Sequence, residues 1–494
     1  MSYLLALDQG TTSSRAIIFN EHGQVQATAQ RETHIHTPQS GWVEQDALEI
    51  WSSQIAVVQQ ALASAGILAK DIKALGLTNQ RETTVVWDKR NGRPLAPAII
   101  WQDRRAAHWC NELIQQNLQD TIQAKTGLRI DPYFSAGKLV WLLENITGLR
   151  TLAEQGHVAF GTVDSWIVWN LTQGAEHIIE TSNASRTMLM NLATQTWDEE
   201  LLDKFRIPAS VLPKITSSDT YVADTATGLL GATIPITGIL GDQQSALFGQ
   251  SCFDIGTAKN TYGTGCFMLF NTGHDIQRSQ NKLLSTLAWQ AQNQTTYALE
   301  GSVFMAGAVV QWLRDGLGII QKSSDVEKLA SKVTHTDGVV LVPAFTGLGA
   351  PHWDSEARAL MCGMSRGTNK HHIARAALES IAFQVSDVLT AMQSDITHPL
   401  KELRVDGGAS SNDMLMQFQA DLLGVPVLRP KMLESTAWGA AAMAGLKAGV
   451  FSSLDDIAQS WQLERAFEPT MQADERETHL HRWQVALKRA KSDI

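Results

Sequence analysis

The sequence predicts a layered α/β fold in two large domains. Strand-like and helix-like stretches alternate throughout the chain, which is the pattern of sheets covered by helices. At 494 residues the chain is longer than single hydrophobic cores usually become, so two domains are expected. A Gly-Thr turn between two strand-like stretches near the N terminus is repeated, with weak similarity, in the second half. This repetition indicates two halves of similar design.

The first element is "LALDQGTTSS" (residues 4–13). Apolar residues on both sides of the turn predict a buried strand and an antiparallel return strand, so the turn is the only polar part. Gly10 lets a backbone approach a ligand closely, and residues 11–13 offer hydroxyls and backbone N–H groups of the kind that hold phosphate oxygens. Asp8 could hold Mg²⁺, usually through water. An ordinary hairpin whose side chains bond their own backbone is the alternative.

A helix is predicted next, over residues 46–65, followed by a strand that ends in "NQRET". Asp46 and Glu49 are placed as a capping box, and Gly66 is placed as the stop. The apolar stripe predicted for the buried face of this helix consists of Leu48, Trp51, Ile55, Val58 and Leu62.

The second half opens on "AKNTYGTGCFMLF" (258–270), which again runs strand, Gly-Thr-Gly turn, strand. We place the domain boundary near Ser251, which gives domains 1–251 and 252–494. Helices are predicted in this half over residues 368–392, 412–423 and 436–449. The last of these is rich in small residues and could pack close against its neighbours.

The composition describes a globular protein, with 44% hydrophobic and 18% charged residues. The net charge of −10 argues against nucleic acid and anionic membranes as main partners. No leader and no apolar run of spanning length is seen, so we expect a cytoplasmic protein without membrane insertion. The cysteines form no CxxC pair and are expected to be reduced thiols; they are Cys110, Cys252, Cys266 and Cys362.

Three further polar stretches follow apolar strands. In "NQRET" the adjacent Arg81 and Glu82 would present a donor fork and an acceptor from alternate faces of a strand end. In "TGILGDQQSALFG" Asp242 stands at a helix start, and in "LRVDGGASSN" a Gly-Gly turn leads to Asn412 at the next helix start. The structural alternatives are a solvated ion pair, an N-cap and a tight turn, respectively.

The order of these motifs resembles the FGGY family of sugar and polyol kinases. The segments "ALDQGTTSSRA", "TNQRET", "DPYFS", "NASRTM", "GDQQSALFGQ", "NTYGTGCFML", "PAFTGLGAPHWD" and "VDGGAS" are similar, in order and approximate spacing, to those of the members that phosphorylate glycerol. A family signature around a Lys and a Trp stands here as "FSAGKLVWLLEN". The resemblance covers nearly the whole chain.

The resemblance implies two actin-like (ribonuclease H-like) ATPase domains flanking a deep catalytic cleft. It implies ATP-dependent phosphorylation of glycerol to sn-glycerol 3-phosphate by direct in-line transfer, in glycerol uptake and catabolism. ATP and Mg²⁺ are the implied cofactors, and a homodimer or homotetramer is the implied assembly.

The resemblance also assigns roles to residues. Glycerol would be bound by Arg81, Glu82, Trp101, Tyr133, Asp242, Gln243 and Phe267. The phosphates of ATP would be held by Thr11, Thr12, Ser13, Arg15 and Thr264, and the adenosine side would be lined by Gly307, Gln311, Gly408 and Asn412. Asp242 would be the catalytic base, and Asp8 with Asp242 would hold Mg²⁺. Plain core packing is the alternative for Trp101 and Phe267.

Two other functions stay open at this point. One is kinase action on a different small polyol or sugar. The other is a nucleotide-driven binding protein, like the chaperone and filament proteins of the same fold, in which ATP controls conformation and no metabolite is phosphorylated. The polar group of "NQRET" with Asp242 argues against the second, because such proteins need no acceptor site.

Regulation is expected to differ from that of bacterial family members inhibited by fructose 1,6-bisphosphate. Those members carry Gly-Thr-Arg before the strand that leads to the Gly-Asp-Gln motif, and the arginine meets a sugar phosphate. This chain has Gly231-Ala232-Thr233 there, without a guanidinium. A bisphosphate needs charge-assisted, preferably bidentate donors, so most of the affinity should be lost. A cation distant in sequence or from a neighbouring subunit is the alternative.

We therefore predict that millimolar fructose 1,6-bisphosphate leaves the kinase activity nearly unchanged. The measurement is a dose-response assay of the native enzyme beside the double variant Ala232→Thr, Thr233→Arg. Saturable inhibition of the native enzyme would contradict the prediction.

Overall fold

The computed structural model describes residues 2–354 and 356–492. The strands of the first half are β1 Tyr3–Gln9, β2 Ser13–Asn20, β3 Val25–Glu32, β4 Glu44–Gln45, β5 Ile72–Asn79, β6 Val85–Asp88, β7 Ala98–Ile99, β8 Val158–Gly161, β9 Ile178–Glu180, β10 Met190–Asn191, β11 Thr196–Trp197, β12 Lys214–Thr216, β13 Ala223–Asp224 and β14 Pro235–Gly241. Those of the second half are β15 Thr257–Tyr262, β16 Cys266–Gly273, β17 Leu284–Ala291, β18 Gln294–Val303, β19 Val340–Val342, β20 Leu360–Cys362, β21 Glu402–Asp406, β22 Val427–Pro430 and β23 Leu463–Phe467.

Helices alternate with these strands along the chain. The helices are α1 Ala47–Ala65, α2 Ala107–Gln115, α3 Gln119–Thr126, α4 Ser135–Asn145, α5 Leu149–Glu154, α6 Val163–Leu171, α7 Thr181–Ala184, α8 Glu199–Phe205, α9 Thr227–Leu230, α10 Asp242–Gly249, α11 Gly307–Asp315, α12 Asp325–Ala330, α13 Lys370–Asp395, α14 Asp413–Leu423, α15 Ser435–Lys447, α16 Leu454–Ala458 and α17 Ala473–Ala490. Within the described ranges, no helix is both long and apolar enough to cross a membrane.

The larger sheet of the first half has the order β13-β14-β5-β1-β2-β3. Strands β1 and β2 form the predicted hairpin, and β5 runs parallel to both β1 and β14. The register places Asn79 opposite both Gln9 and Gly241, so these three parallel strands end side by side. Loops that follow them therefore leave the sheet at the same edge.

The sheet of the second half, in the order β17-β18-β16-β15-β21-β22-β23, repeats this arrangement. Strands β15 and β16 form a hairpin, and β15 runs parallel to β21, which runs parallel to β22. The hairpin and its parallel neighbours thus match β1, β2, β5 and β14 in the first half. The prediction of two halves of similar design is confirmed.

Helix α15 packs unusually close to the first sheet, although it lies late in the sequence. A Cβ atom added at Gly76 of β5 would lie 2.1 Å from the carbonyl oxygen of Ala440. One added at Gly439 would lie 1.9 Å from the carbonyl oxygen of Ser245 in α10. The predicted close packing of this small-residue helix is confirmed. The domain boundary near Ser251 stays a prediction.

Helix α1 begins and ends where the sequence predicts, but its buried face differs. Asp46 caps the helix by accepting from Leu48 N–H at 2.8 Å, and Gly66 ends it in the left-handed conformation at φ 64°. Glu49 does not close a capping box, because its carboxylate accepts from His34 Nδ1 at 2.6 Å.

The predicted stripe of α1 is wrong at Leu48, which is 53% exposed. The face that packs toward β2 and β3 carries Ala47, Ile50, Val57, Val58, Ala61 and Leu62. The observed and predicted stripes share Val58 and Leu62, so the buried face is rotated about the helix axis from the predicted one.

We predict that Gly76→Ala lowers the thermal unfolding midpoint. The added methyl group meets the backbone of α15, which cannot rotate away as a side chain could, and overpacking of this kind costs about 1–3 kcal/mol or more. Gly228→Ala is the matched control, because nothing lies within 4 Å of the Cβ position there. Equal midpoints for the two variants would contradict the prediction.

Candidate active site

The candidate site lies at the edge where β1, β5 and β14 end. Asp8 is the second-to-last residue of β1, Arg81 and Glu82 follow β5, and Asp242 follows β14. The parallel register of the three strands brings these residues to one edge of the sheet, as the motif order predicted.

Arg81 is 2% exposed, so it is not part of a solvated ion pair. Its Nη1 donates to Glu300 Oε2 at 2.6 Å and to Gln244 Oε1 at 3.2 Å, and its Nη2 donates to Glu300 Oε1 at 3.0 Å. Its Nε lies 3.2 Å from Asp242 Oδ1. Burial lowers the pKa of Arg81, but Glu300 and Glu82 outweigh burial and hold the pKa well above its ordinary value.

Arg81 and Glu82 do not lie on alternate faces of a strand, because β5 ends at Asn79. Glu82 has φ 60°, and Thr83 N–H donates to the carbonyl oxygen of Arg81 at 2.7 Å. This tight γ-turn is rare for a residue with a side chain. Ser135 Oγ supports it by donating to the Glu82 carbonyl oxygen at 3.0 Å. The turn, rather than a strand, points the two side chains into the site.

Asp242 is the first residue of α10, and the N-cap is Gly241. The interpretation of Asp242 as a simple N-cap is therefore wrong. Its side chain is 31% exposed, unlike that of Arg81 beside it. Burial raises the pKa of Asp242 to about 6, with Arg81 acting in the opposite direction and Glu82 adding to the rise. A partly exposed carboxylate with a pKa near neutrality can accept a proton from a bound hydroxyl.

Gln243 is held by a buried lysine that sequence reasoning did not identify. Lys259 Nζ donates to Gln243 Oε1 and, at 2.9 Å, to Thr261 Oγ1. Burial lowers the pKa of Lys259 to about 8, although Asp406 and Asp242 raise it. Because its amide oxygen accepts from Lys259, Gln243 offers its NH₂ group to a ligand.

Trp101, Tyr133 and Phe267 form an aromatic group beside these polar residues. The ring of Trp101 meets those of Tyr133 and Phe267 edge-on, with centroids 5.9 and 6.3 Å apart. Trp101 Nε1 donates to Thr11 Oγ1 at 2.8 Å, which ties this group to the first turn. Trp101 and Phe267 are half-buried, so neither is an ordinary core residue.

The turn after β1 carries one exposed and two half-buried hydroxyl residues, and the buried carboxylate of Asp8 precedes it. Thr12 is exposed, while Gly10 N–H donates to the Ser13 carbonyl oxygen at 2.9 Å and closes the turn. Asp8 accepts from Arg15 Nη2, and Arg15 Nη1 donates to Glu434 Oε2 at 2.6 Å. Arg15 therefore has two carboxylate partners, one from each half of the chain.

In the second half, the β15–β16 hairpin contacts the start of α11 and the Gly-Gly turn that follows β21. Thr264 is exposed at the tip of the β15–β16 hairpin. Gly307 N–H, at the start of α11, donates to the Gly263 carbonyl oxygen at 2.9 Å. Gly407, with φ 84°, lies so close to the hairpin that an added Cβ would be 2.6 Å from the carbonyl oxygen of Tyr262. The hairpin thus joins the start of α11 to the Gly-Gly turn.

The remaining residues predicted for the nucleotide are placed around these turns. Gln311 is exposed on α11, and Gly408 is exposed in the short helical turn that follows Gly407. Asn412 Oδ1 accepts from Leu415 N–H at 2.8 Å, so Asn412 caps α14. This cap uses the amide oxygen and leaves the amide NH₂ group available.

Residues 180–186 supply contacts that sequence reasoning missed. Ser182 Oγ accepts from Gly241 N–H at 2.9 Å, just before Asp242. The amides of Asn183 and Asn79 exchange bonds of 3.0 and 3.1 Å. Arg186 Nε donates to Glu82 Oε1 at 2.7 Å. The segment "NASRTM" contributed to the resemblance, but its polar residues are ordinary in type and suggested no role.

Comparison with known proteins agrees with this geometry. The N-terminal domain of the FGGY family of carbohydrate kinases matches residues 3–249, and the C-terminal domain of that family matches residues 258–448. The chain belongs to the FGGY family of carbohydrate kinases. The predicted pair of actin-like α/β halves is confirmed for this FGGY kinase.

Individual relatives cover the whole chain. A glycerol kinase from Acinetobacter baylyi is 81% identical over 100% of both chains, and one from Deinococcus radiodurans is 58% identical over 99% of this chain and 97% of the relative. A crystal structure of Plasmodium falciparum glycerol kinase with ADP superimposes with a TM-score of 0.94 at 35% identity, covering 100% of this chain and 99% of the other. The roles assigned to single residues of this FGGY kinase stay predictions.

Proposed function

We propose that this FGGY kinase transfers the γ-phosphoryl group of ATP to glycerol, forming sn-glycerol 3-phosphate and ADP in glycerol uptake and catabolism. An 81% identical glycerol kinase that matches the whole chain supports the proposal. The observation that carries it is the polar group of Arg81, Glu82 and Asp242, set beside a half-buried aromatic group. A nucleotide-driven binding protein would not need such a site.

Glycerol has three hydroxyls and a small C–H face, and the candidate site offers partners for both. Arg81 and Gln243 supply N–H donors, whereas Glu82 and Asp242 supply acceptors. Tyr133 adds a phenol hydroxyl. Trp101 and Phe267 would cover the carbon chain, since aromatic rings pack well against C–H groups.

The reaction requires one proton transfer and one phosphoryl transfer. Asp242 accepts the proton of the attacking hydroxyl while the hydroxyl oxygen bonds to the γ-phosphorus. The bond from the γ-phosphorus to the bridging oxygen breaks, and ADP leaves. None of the residues assigned to the site is given the role of a nucleophile, and the proposed transfer is direct and in line.

The phosphates would be held from both halves of the chain. Thr11, Thr12, Ser13 and Arg15 would bind them from the first half, and Thr264 would bind them from the second. On the adenosine side we assign Gly307, Gln311, Gly408 and Asn412. Closure of the halves around ATP would exclude water and so limit hydrolysis.

The two residues proposed for Mg²⁺ are carboxylates, the ligand type that this ion prefers. The described residues contain no cluster of three or more His, Cys, Asp or Glu that could hold a metal ion. Mg²⁺ does not need such a cluster, because it is usually bound by one or two carboxylates with substrate phosphates and water. Asp8 and Asp242 are the residues that would hold it. When bound, Mg²⁺ neutralises charge on the β- and γ-phosphates.

Assembly and location follow from the same proposal. A homodimer or homotetramer is expected by similarity. The free thiols of Cys110, Cys252, Cys266 and Cys362 are compatible with the expected cytoplasmic location.

The decisive assay measures ADP release with a panel of polyols and sugars and locates the product phosphate by NMR. Glycerol should be the best acceptor, with phosphate at a terminal carbon. A better acceptor elsewhere in the panel would indicate a different polyol kinase. Phosphate release without a phosphorylated product would favour the nucleotide-driven binding protein.

Asp242→Asn should reduce kcat about 100-fold or more, because general bases commonly contribute factors of this size. The amide keeps the shape of the side chain but cannot accept the proton. ATP binding should persist, and titration of the variant with ATP checks that the site is intact. An unchanged kcat would remove Asp242 from the chemistry.

Arg81→Lys should weaken the binding of glycerol and leave the affinity for ATP unchanged. Lysine keeps the charge but loses the planar fork, so the KM for glycerol should rise roughly 10-fold, the size of one lost charge-assisted hydrogen bond. Thr264→Ala is the matched comparison. It should raise the KM for ATP and leave the KM for glycerol unchanged. Equal weakening of both substrates in Arg81→Lys would place Arg81 outside the acceptor site.

A further inference from the structure

Glu300 is a buried carboxylate at the centre of the site that the motifs did not indicate. It lies on β18 in the second sheet and is 1% exposed. It accepts from Arg81 through both carboxylate oxygens, at 2.6 and 3.0 Å, and from Arg186 Nη2 at 2.8 Å. Both arginines belong to the first half of the chain. Glu300 therefore joins the two halves exactly where the acceptor residues meet.

The hydrogen bonds to Glu300 leave only one edge of the Arg81 guanidinium available to a ligand. The end-on fork of the guanidinium, Nη1 and Nη2, is bonded to Glu300, and Nη1 is completed by Gln244. The side edge remains, formed by Nε and the second N–H of Nη2. Nε of this edge lies 3.2 Å from Asp242 Oδ1. The edge of Arg81 that faces the proposed base is thus set by the bond to Glu300.

Glu300 also balances charge in this buried group. Burial raises the pKa of Glu300, but Arg186 and Arg81 outweigh burial and lower it to about 2, so the group is a carboxylate at neutral pH. The cations Arg81 and Arg186 face Glu82 and Glu300. Without Glu300, the two neighbouring buried guanidiniums would keep only Glu82 and the partly exposed Asp242 as carboxylate partners, and their mutual repulsion would favour movement of one of them.

We propose that Glu300 is a positioning residue for the acceptor, a role that rests on the proposed glycerol kinase function. It holds the end-on fork of Arg81, so that the side edge of the guanidinium faces Asp242 and the acceptor hydroxyl. Because Glu300 comes from the second half, the acceptor site is complete only when both halves are in place. In this role Glu300 acts through Arg81 and not through a direct contact with glycerol or ATP.

The competing explanation is a purely structural ion pair. A buried carboxylate between two arginines can stabilise the fold without any effect on a substrate. A structural role predicts a lower unfolding midpoint and an equal loss for both substrates. A positioning role predicts a loss that is selective for the acceptor.

The experiment compares Glu300→Gln with the wild-type enzyme in steady-state kinetics for both substrates. We expect the KM for glycerol to rise roughly 10- to 100-fold, the factor that corresponds to losing a charge-assisted bond pair, with the KM for ATP unchanged. Calorimetric titration with glycerol should show the same weakening in the dissociation constant. An unchanged KM for glycerol, or an equal rise for both substrates, would overturn the proposal.

Glu379→Gln is the matched control. Glu379 is a buried glutamate that accepts from Arg375 Nε at 2.8 Å, on α13 of the same half. Its loss should lower stability without changing the KM ratio of the two substrates. A selective rise in the glycerol KM in this control would also overturn the proposal, because it would show that any buried ion pair has the effect.

A second variant covers the case in which Glu300→Gln does not fold. Glu300→Asp keeps the charge but is one methylene shorter, so it cannot reach both nitrogens of Arg81 at the same distances. It should raise the KM for glycerol selectively and by less than the amide variant. An unchanged KM would count against the proposal. Wild-type enzyme that fails to phosphorylate glycerol would instead contradict the proposed function itself.

Discussion

The rest of the site is arranged around the pairing of buried charges between the two halves of the chain. Arg81 and Arg186 come from the first half, and Glu300 comes from the second. Breaking a buried pair by removing one partner typically costs about 3–5 kcal/mol, because the remaining charge has no water to solvate it. The two halves must therefore be aligned closely for the chain to fold. That alignment brings the aromatic group and the hairpin turns to the same place.

The strained backbone conformation of Glu82 is stabilised by several contacts. The γ-turn is unfavourable for a residue with a side chain. Ser135 supports its carbonyl oxygen, and Arg186 binds its carboxylate. A regular strand would have turned Arg81 and Glu82 to opposite faces of the sheet. The strained turn lets both contribute to one polar group.

The repeated hairpin explains how the chain could approach ATP from two sides. Each half places a glycine-containing turn between antiparallel strands, next to a parallel neighbour. In the second half the close contact of Gly407 with Tyr262 leaves no room for a side chain. Gly407, in the turn after β21, thus serves backbone packing, whereas Gly10 of the first hairpin turn is predicted to let the backbone approach phosphate. Both roles follow from the missing Cβ atom.

The sequence by itself determined the features that depend on near neighbours. The hairpins, the cap at Asp46, the stop at Gly66 and the turn before Asn412 all rest on residues a few positions apart. The motif order also determined the family, because each motif is a short run of unusual residues. The polar residues proposed for the acceptor site could be named for the same reason, and their roles stay predictions.

Only the tertiary structure decided which residues surround those motifs. Glu300 stands in a strand of mixed polarity, 219 positions from Arg81, and Lys259 of β15 is 16 positions from Gln243 of α10. The buried face of α1 was likewise chosen by the sheet on which it packs, so that Leu48 is exposed. Charge pairing and close packing are set by distance in space, and sequence periodicity carries no information about a partner on another sheet.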